Sequence, residues 1–260
     1  MLNRIQSALV LLFLLPLSGF QRQTFYAQNF NTGLNACLIS GWPMNEGSGF
    51  VFHDVSGNGN TANSGGGFTW QSNAGFPGTT PLWTTPGGTC GNCSTNIALT
   101  NFNGSVPFSA SVWINENTGA ETTMLSTTAN FLNYQGWEFE KRSGQNVVLF
   151  WIANTYTGNT IQIHGTANIN NGARHYVVVT YDGSQTAAGM KIYVDGVADT
   201  TTTDFNSLSA SAASGRALDI AQRTDGAEGF AGVLAFAEVY NCVLSPSTIA
   251  SYNSRGPGIY

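Results

Sequence analysis

Glu138 and Glu140 stand two residues apart in the run Gly136-Trp137-Glu138-Phe139-Glu140-Lys141-Arg142. Alternation of polar and aromatic residues reads as a strand, and residues two apart on a strand share a face. Strand rise sets the two carboxylates roughly 6–7 Å apart, near the separations used in glycoside hydrolysis, where one carboxyl group protonates the leaving oxygen and a second assists. Arg142 belongs to the same face. A solvated strand face with a Glu–Arg ion pair is therefore the plainer expectation, and Glu138 and Glu140 become catalytic candidates only if glycan cleavage is found. His164, in Gln162-Ile163-His164, has the chemistry of a base for proton abstraction. No Ser/His/Asp order, phosphate-cradling glycine motif or metalloprotease helix is visible.

Binding is the second kind of chemistry on offer. Sugar rings stack their C–H faces on aromatic rings while amides and carboxylates hold the hydroxyls. Trp70 and Trp83 lie in the polar stretch from Thr61 to Ser94 and are the ligand-contact candidates, with burial as loop anchors the competing reading. Trp42, Trp113 and Trp151 sit in apolar strands, and Trp137 faces away from Glu138, so these four are expected in the core. Asp54 opens a tight Gly/Asn loop, Asp54-Val55-Ser56-Gly57-Asn58-Gly59-Asn60. Such a loop suits calcium, which takes six to eight oxygen ligands; an Asx turn without metal is the alternative. The four cysteines, Cys37, Cys90, Cys93 and Cys242, allow three pairings. Cys90-Gly-Asn-Cys93 lies in a Gly/Thr/Asn loop rather than before a helix, which favours a structural clip over a redox pair. Zinc lacks a second ligand pair, because His53, His164 and His175 are isolated.

The elements that must carry these residues are strands. From Ala173 to Asp199 the chain reads as two strands with Asp-Gly turns, and the first, rich in Val and Tyr on both faces, is expected to be central. Asp195-Gly196 fits a type I′ hairpin. Further strands are expected at 37–42, 68–71, 96–99, 108–114, 122–127, 136–142, 147–154, 160–164, 217–222 and 230–242. Ser245-Pro246 begins a short helix that ends by Gly256. Charged residues make up 9 %, the net charge is −5, and 31 glycines are spread among Ser, Thr and Asn. That composition suits one extracellular β-sandwich with polar loops. Without a basic stripe, nucleic acid and anionic membranes are not expected partners. Residues 1–19 have the layout of a secretory signal peptide, with cleavage as late as 27 also compatible, and 20–36 read as a lead-in. The apolar run is too short to span a bilayer, so no membrane insertion is expected, and export would oxidise the cysteines.

Trp42, Glu46-Gly47-Ser48-Gly49, the Asp54–Asn60 loop, Pro107 to Ile114 and Phe230 to Asn241 together resemble the laminin G-like domains of the concanavalin A-like lectin/glucanase superfamily. The resemblance spans about Cys37 to Gly256. It implies an all-β jelly-roll sandwich of two antiparallel sheets with a short C-terminal helix, over a domain from 37 to 260. First and last strands usually lie side by side in such a sandwich, which favours Cys37 with Cys242 and Cys90 with Cys93. The resemblance also implies a structural calcium held by Asp54, Asn58, Asn60 and Glu238. Laminarinase-type hydrolases of the superfamily carry three acids in an E-x-D-x-E-like motif, and here Arg142 takes the third place. Gln162-Ile163-His164 matches a tripeptide of alginate lyases, whose Arg-rich and Tyr/Lys strands have no counterpart. The implied function is secreted, non-catalytic recognition of a polysaccharide or glycoconjugate. An extracellular protein ligand is the alternative, and a glycoside hydrolase or polysaccharide lyase the less favoured one.

Overall fold

The computed structural model describes residues 37–71, 82–84, 94–98, 102–116 and 118–257, with 82–84 and 94–98 described as backbone. The leader, the lead-in, Cys90, Cys93 and the Trp83 side chain lie outside the described residues.

Two antiparallel sheets face each other. In the first, the order is β14 (Val197–Ala198), β13 (Met190–Val194), β12 (Arg174–Tyr181), β7 (Phe108–Glu116), β17 (Gly232–Tyr240), β5 (Leu82–Thr84) and β4 (Phe68–Trp70). The remaining strand, β1 (Leu38–Trp42), pairs with the C-terminal half of β17. The second sheet runs β15 (Thr202–Asn206), β11 (Asn159–His164), β10 (Val147–Thr155), β9 (Gly136–Arg142), β8 (Thr122–Ser126), β16 (Ala217–Ile220), β6 (Ser94–Ala98), β3 (Ala62–Asn63) and β2 (Val51–Phe52). The expected all-β sandwich is present, and β12 is internal, as its two apolar faces require.

Between the sheets, Val112, Val177, Val179 and Val239 meet Trp137, Phe139, Phe150 and Ile152. Side chains on alternate positions of β7, β12 and β17 form a second apolar layer outside the first sheet. There Trp113, Tyr176, Val178 and Tyr240 pack with Ile249 and Tyr252 of helix α1 (Pro246–Arg255). Ser245 caps that helix by accepting the Thr248 N–H at 3.1 Å, and Pro246 occupies its first turn. Asp195 and Gly196 both take positive φ, 52° and 81°, as a type I′ turn demands. Cys37 and Cys242 form a disulfide that joins the ends of β1 and β17, Cα to Cα 5.9 Å.

Trp42, Trp113, Trp137 and Trp151 are all buried, as expected, but not in one layer. Trp113 is buried outside the first sheet rather than between the sheets. Trp151 lies on the outer face of the second sheet, in a separate cluster with Leu149 and Ala153. β15 was not expected, because Thr202-Thr203-Asp204-Phe205-Asn206 is polar and lies at a half-exposed edge.

Candidate functional site

The outer face of the nine-stranded sheet gathers the chain's acidic and aromatic chemistry. Strand pairing places Glu138, Trp151 and Gln162 in one row across β9, β10 and β11, and Glu140, Leu149 and His164 in the next. A register shift in β8 sets Thr123 opposite Glu140 and Ser126 opposite Glu138. Residues three apart would face opposite ways on a regular strand, so the bulge turns both hydroxyls outward. Thr123 and Thr128 each donate a hydroxyl hydrogen bond to Glu138. Trp151 donates its indole N–H to Glu140 at 3.2 Å.

A third acid arrives from the loop between β16 and β17. Carboxylate oxygens of Glu138, Glu140 and Glu228 lie within 4.8 Å of one another. Glu228 has φ 51°, a region that non-glycine residues seldom occupy. Its carbonyl accepts the Thr123 N–H at 2.7 Å. The loop is fixed from below: Asp225 accepts the Asn130 N–H at 2.9 Å and pairs with Arg223 at 3.0 Å, and Arg223 also pairs with Glu228. Backbone strain of this kind persists where surrounding contacts over-determine it, and it concentrates at functional sites. Tyr134, on the facing loop, is likewise left-handed at φ 58°.

Aromatic rings form the wall. Trp151 lies 6.4 Å from Tyr134 and 4.9 Å from Tyr156, and the two tyrosines are 5.6 Å apart. Both tyrosines are half-buried and so line the rim, whereas Trp151 forms the floor. Burial, reinforced by the Glu140 charge, pushes the Tyr156 hydroxyl up to about 12, so it stays a donor at neutral pH.

The expected solvated face is therefore wrong. Glu138 is 0 % and Glu140 4 % exposed, and Arg142 pairs with Asp204 at 3.2 Å instead of with either glutamate. Burial, then the Glu228 charge, pushes Glu138 up to about 7. Burial also holds Glu140 well above the ordinary carboxylate range, reinforced by Glu138, Glu228 and Glu121. His164 is beside this pair rather than in it. Its Nδ1 lies 2.9 Å from both Asp204 and Arg142, and Gln162 donates to Asp204 at 3.0 Å. Against the push of burial, hydrogen bonds from Gln162 and His164 hold Asp204 below the usual range.

The chain also carries the pattern of a known family. Its model, described as the concanavalin A-like lectin/glucanases superfamily of laminin G-like domains, matches residues 87–250. The chain belongs to that family. A comparison with curated proteins finds no match. Among solved structures, the laminin G-like sandwich is similar to the binding domain of Paraclostridial Mosquitocidal Protein 1, at 13 % identity and TM-score 0.63, covering 85 % of this chain and 53 % of that one. It is also similar to botulinum neurotoxin type C, whose cell entry is dependent upon interaction with two ganglioside molecules, at 16 % identity and TM-score 0.60, covering 86 % and 52 %. The binding domain of botulinum neurotoxin DC in complex with rat synaptotagmin II gives 15 %, TM-score 0.58, and coverage of 85 % and 52 %. The chain spans about half the length of these structures, and at such identities the likeness is one of fold.

The calcium site implied for laminin G-like domains can be tested on the Asp54 loop. Asp54 Oδ1 accepts the Gly41 and Ser56 N–H groups at 3.0 and 2.9 Å, and Oδ2 accepts the Ser56 hydroxyl and Asn60 N–H at 2.7 and 2.9 Å. The side-chain amides of Asn58 and Asn60 both donate to the Ile39 carbonyl at 2.9 Å. Glu238 takes the Ser111 hydroxyl at 2.8 Å. Around Asp54 the partners are N–H and O–H donors rather than oxygen lone pairs. The loop as arranged does not fit a calcium ion; it is an Asx turn that fastens β1. Trp70 donates its indole N–H to the Gly49 carbonyl at 3.0 Å and packs against Phe52 and Phe68, so it serves as a loop anchor.

Tyr134, Tyr156, Asp204 and Glu228 were missed from sequence. The one usable signal was Glu228 itself, a carboxylate inside the turn Thr224-Asp225-Gly226-Ala227-Glu228-Gly229.

Proposed function

We propose that the chain is a secreted recognition module that binds carbohydrate on the outer face of its nine-stranded sheet. The observation that carries this reading is the Tyr134–Trp151–Tyr156 cluster beside Glu140, to which Trp151 donates its indole N–H. Aromatic walls take the apolar face of a sugar ring, and buried acceptors take its hydroxyls. Secretion is supported by the signal-like leader and by the Cys37–Cys242 disulfide, which is of a kind that persists in oxidising compartments. Affinity electrophoresis through gels containing a panel of polysaccharides tests the reading. Retardation by one glycan, lost in Tyr156→Ala, is the expected result, and free migration through every gel would remove it and turn the search to protein partners.

A second reading, glycosidic cleavage, is favoured by the third carboxylate. The acid that the β9 motif lacks at Arg142 is supplied by Glu228, and Glu138 at about 7 is suited to giving and taking a proton near neutrality. Release of new reducing ends that disappears in Glu138→Gln would establish it.

A further inference from the structure

Gln162 stands in one cross-strand row between Trp151 of β10 and Phe205 of β15. Its neighbours Ile161 and Ile163 point into the core, so its own side chain lies on the outer face. It is 3 % exposed, and its Oε1 is buried with no hydrogen-bond partner among the described residues. Buried acceptors nearly always have one. The amide nitrogen of Gln162 is committed to Asp204, which a bulge in β15 leaves outside the ladder and turns outward. The same Asp204 Oδ2 is 2.9 Å from His164 Nδ1 and 3.2 Å from Arg142 Nη1. Among the described residues only Nη1 of Arg142 is engaged, so the Nε and Nη2 donors of that guanidinium are free. The side chains of Arg142, Asp204 and His164 are 32 %, 18 % and 15 % exposed, so this cluster meets solvent right beside the buried acceptor.

The unmet groups are thus an acceptor on Gln162 and donors on Arg142, while the charges of Arg142 and Asp204 offset each other. The border is aromatic, because the Tyr156 ring lies 4.9 Å from Trp151 and 6.1 Å from Phe205, the two row neighbours of Gln162. An uncharged group that donates one hydrogen bond, accepts another and has an apolar end answers all of these demands. We propose that the sugar recognised here carries an acetamido group. Its N–H donates to Gln162 Oε1, its carbonyl accepts from Arg142, its methyl packs against Phe205, and the sugar ring rests on Tyr156. This rests on the carbohydrate reading above and names its chemical class. A plain hydroxyl can meet the acceptor but leaves the aromatic border unused. A free amine would set a second cation beside Arg142, and a carboxylate a second anion beside Asp204.

The test is binding of the whole chain at neutral pH to a glycan array that includes matched pairs. One pair sets N-acetylglucosamine oligomers beside glucose oligomers, and another sets chains ending in N-acetylgalactosamine beside chains ending in galactose. The expected result is roughly tenfold tighter binding of the acetylated member of at least one pair, the scale on which one buried acceptor is satisfied. Gln162→Met keeps the side-chain volume and loses the oxygen, so it should bring the acetylated member down to its partner, with circular dichroism confirming the fold. The comparison within each pair is made on the unaltered chain and decides the matter even where the variant fails to fold. Equal binding within every pair, binding confined to glycans without an acetamido group, or a preference that survives Gln162→Met overturns the inference while leaving a carbohydrate ligand in place. Should no glycan of the array bind, the carbohydrate reading falls and takes this one with it.

Discussion

Trp151 donates its indole N–H to Glu140 across the β9–β10 pair, and among the described residues this is the hydrogen bond that Glu140 receives. One neutral donor does not offset the burial of a charge, and Glu138 beside it has only two hydroxyls. Both groups accordingly hold protons to higher pH in the folded chain than in the unfolded one.

The first prediction is the sign of the pH dependence of stability. Glu138 rises from 4.5 to about 7 on folding, and Glu116 does the same. A raised acid contributes stability that is complete below 4.5 and is lost as pH climbs to about 7, with a ceiling of roughly 3 kcal/mol for a shift of that size. Asp204 and Asp225 are lowered and act oppositely, but only below about 4, near their unfolded value. Urea midpoints should therefore fall between pH 5 and pH 8, and Glu138→Gln should flatten the decline. A midpoint that climbs over that interval would show that these carboxyl groups are not buried as described.

Glu116 and Lys141 form an ion pair at 3.3 Å, both fully buried, at one end of the sandwich where β7 and β9 come from opposite sheets. Removing one partner strands the other. Lys141→Met is predicted to cost about 3–5 kcal/mol at pH 8, and less at pH 5, where Glu116 takes up a proton. Adding Glu116→Gln should recover most of the loss, because the remaining amide carries no charge. If the double variant is no more stable than the single one, packing rather than charge sets the cost.

Much of the sandwich was legible because its signals are local. The Gly136–Arg142 strand follows from alternation alone, the type I′ turn from Asp195-Gly196, and the helix from Ser245-Pro246. Pairing Cys37 with Cys242 needed only the expectation that first and last strands adjoin. The site was less legible for a physical reason. Alternation says that Glu138 and Glu140 share a face, but not what covers that face. The cover comes from loops: Tyr134 and Tyr156 side by side at one end of the β9–β10 pair, and Glu228 about ninety positions downstream. Arg142 reads as the partner of a glutamate two residues away, yet Asp204 reaches it from the unanticipated edge strand β15. Trp151 reads as core because its strand is apolar on both faces, and only the register shows which face it takes.

The disulfide joins positions 205 residues apart. In the chain-entropy account, a loop of this length gives the largest restriction of the unfolded chain, so Cys37→Ser with Cys242→Ser should lower stability by roughly 2–5 kcal/mol. The Asn241 N–H donates to the Cys37 carbonyl at 2.9 Å, and β1 remains paired with β17. The double variant should therefore keep its circular dichroism spectrum at 25 °C and show the loss in urea. An unchanged urea midpoint would mean that the bridge adds nothing to this pairing.

Glu228 is the group that ties the loop to the sheet, and its influence can be read without any ligand. Its charge raises both Glu138 and Glu140, while Arg223 lowers Glu138. Glu228→Gln removes the like charge and should bring the Glu138 midpoint down from about 7 toward 4.5. Arg223→Ala removes the opposing cation and should move the midpoint up. It also takes the guanidinium from the Tyr134 ring and the partner from Asp225, so the loop should lose hydrogen-exchange protection near Asn130. Carbon-detected titration of the glutamate carboxyl groups in the two variants gives both shifts directly. Opposite signs are required if Glu228 and Arg223 act on Glu138 through charge. Shifts of the same sign would instead mean that either substitution opens the face to water, and that burial alone sets the protonation of the pair.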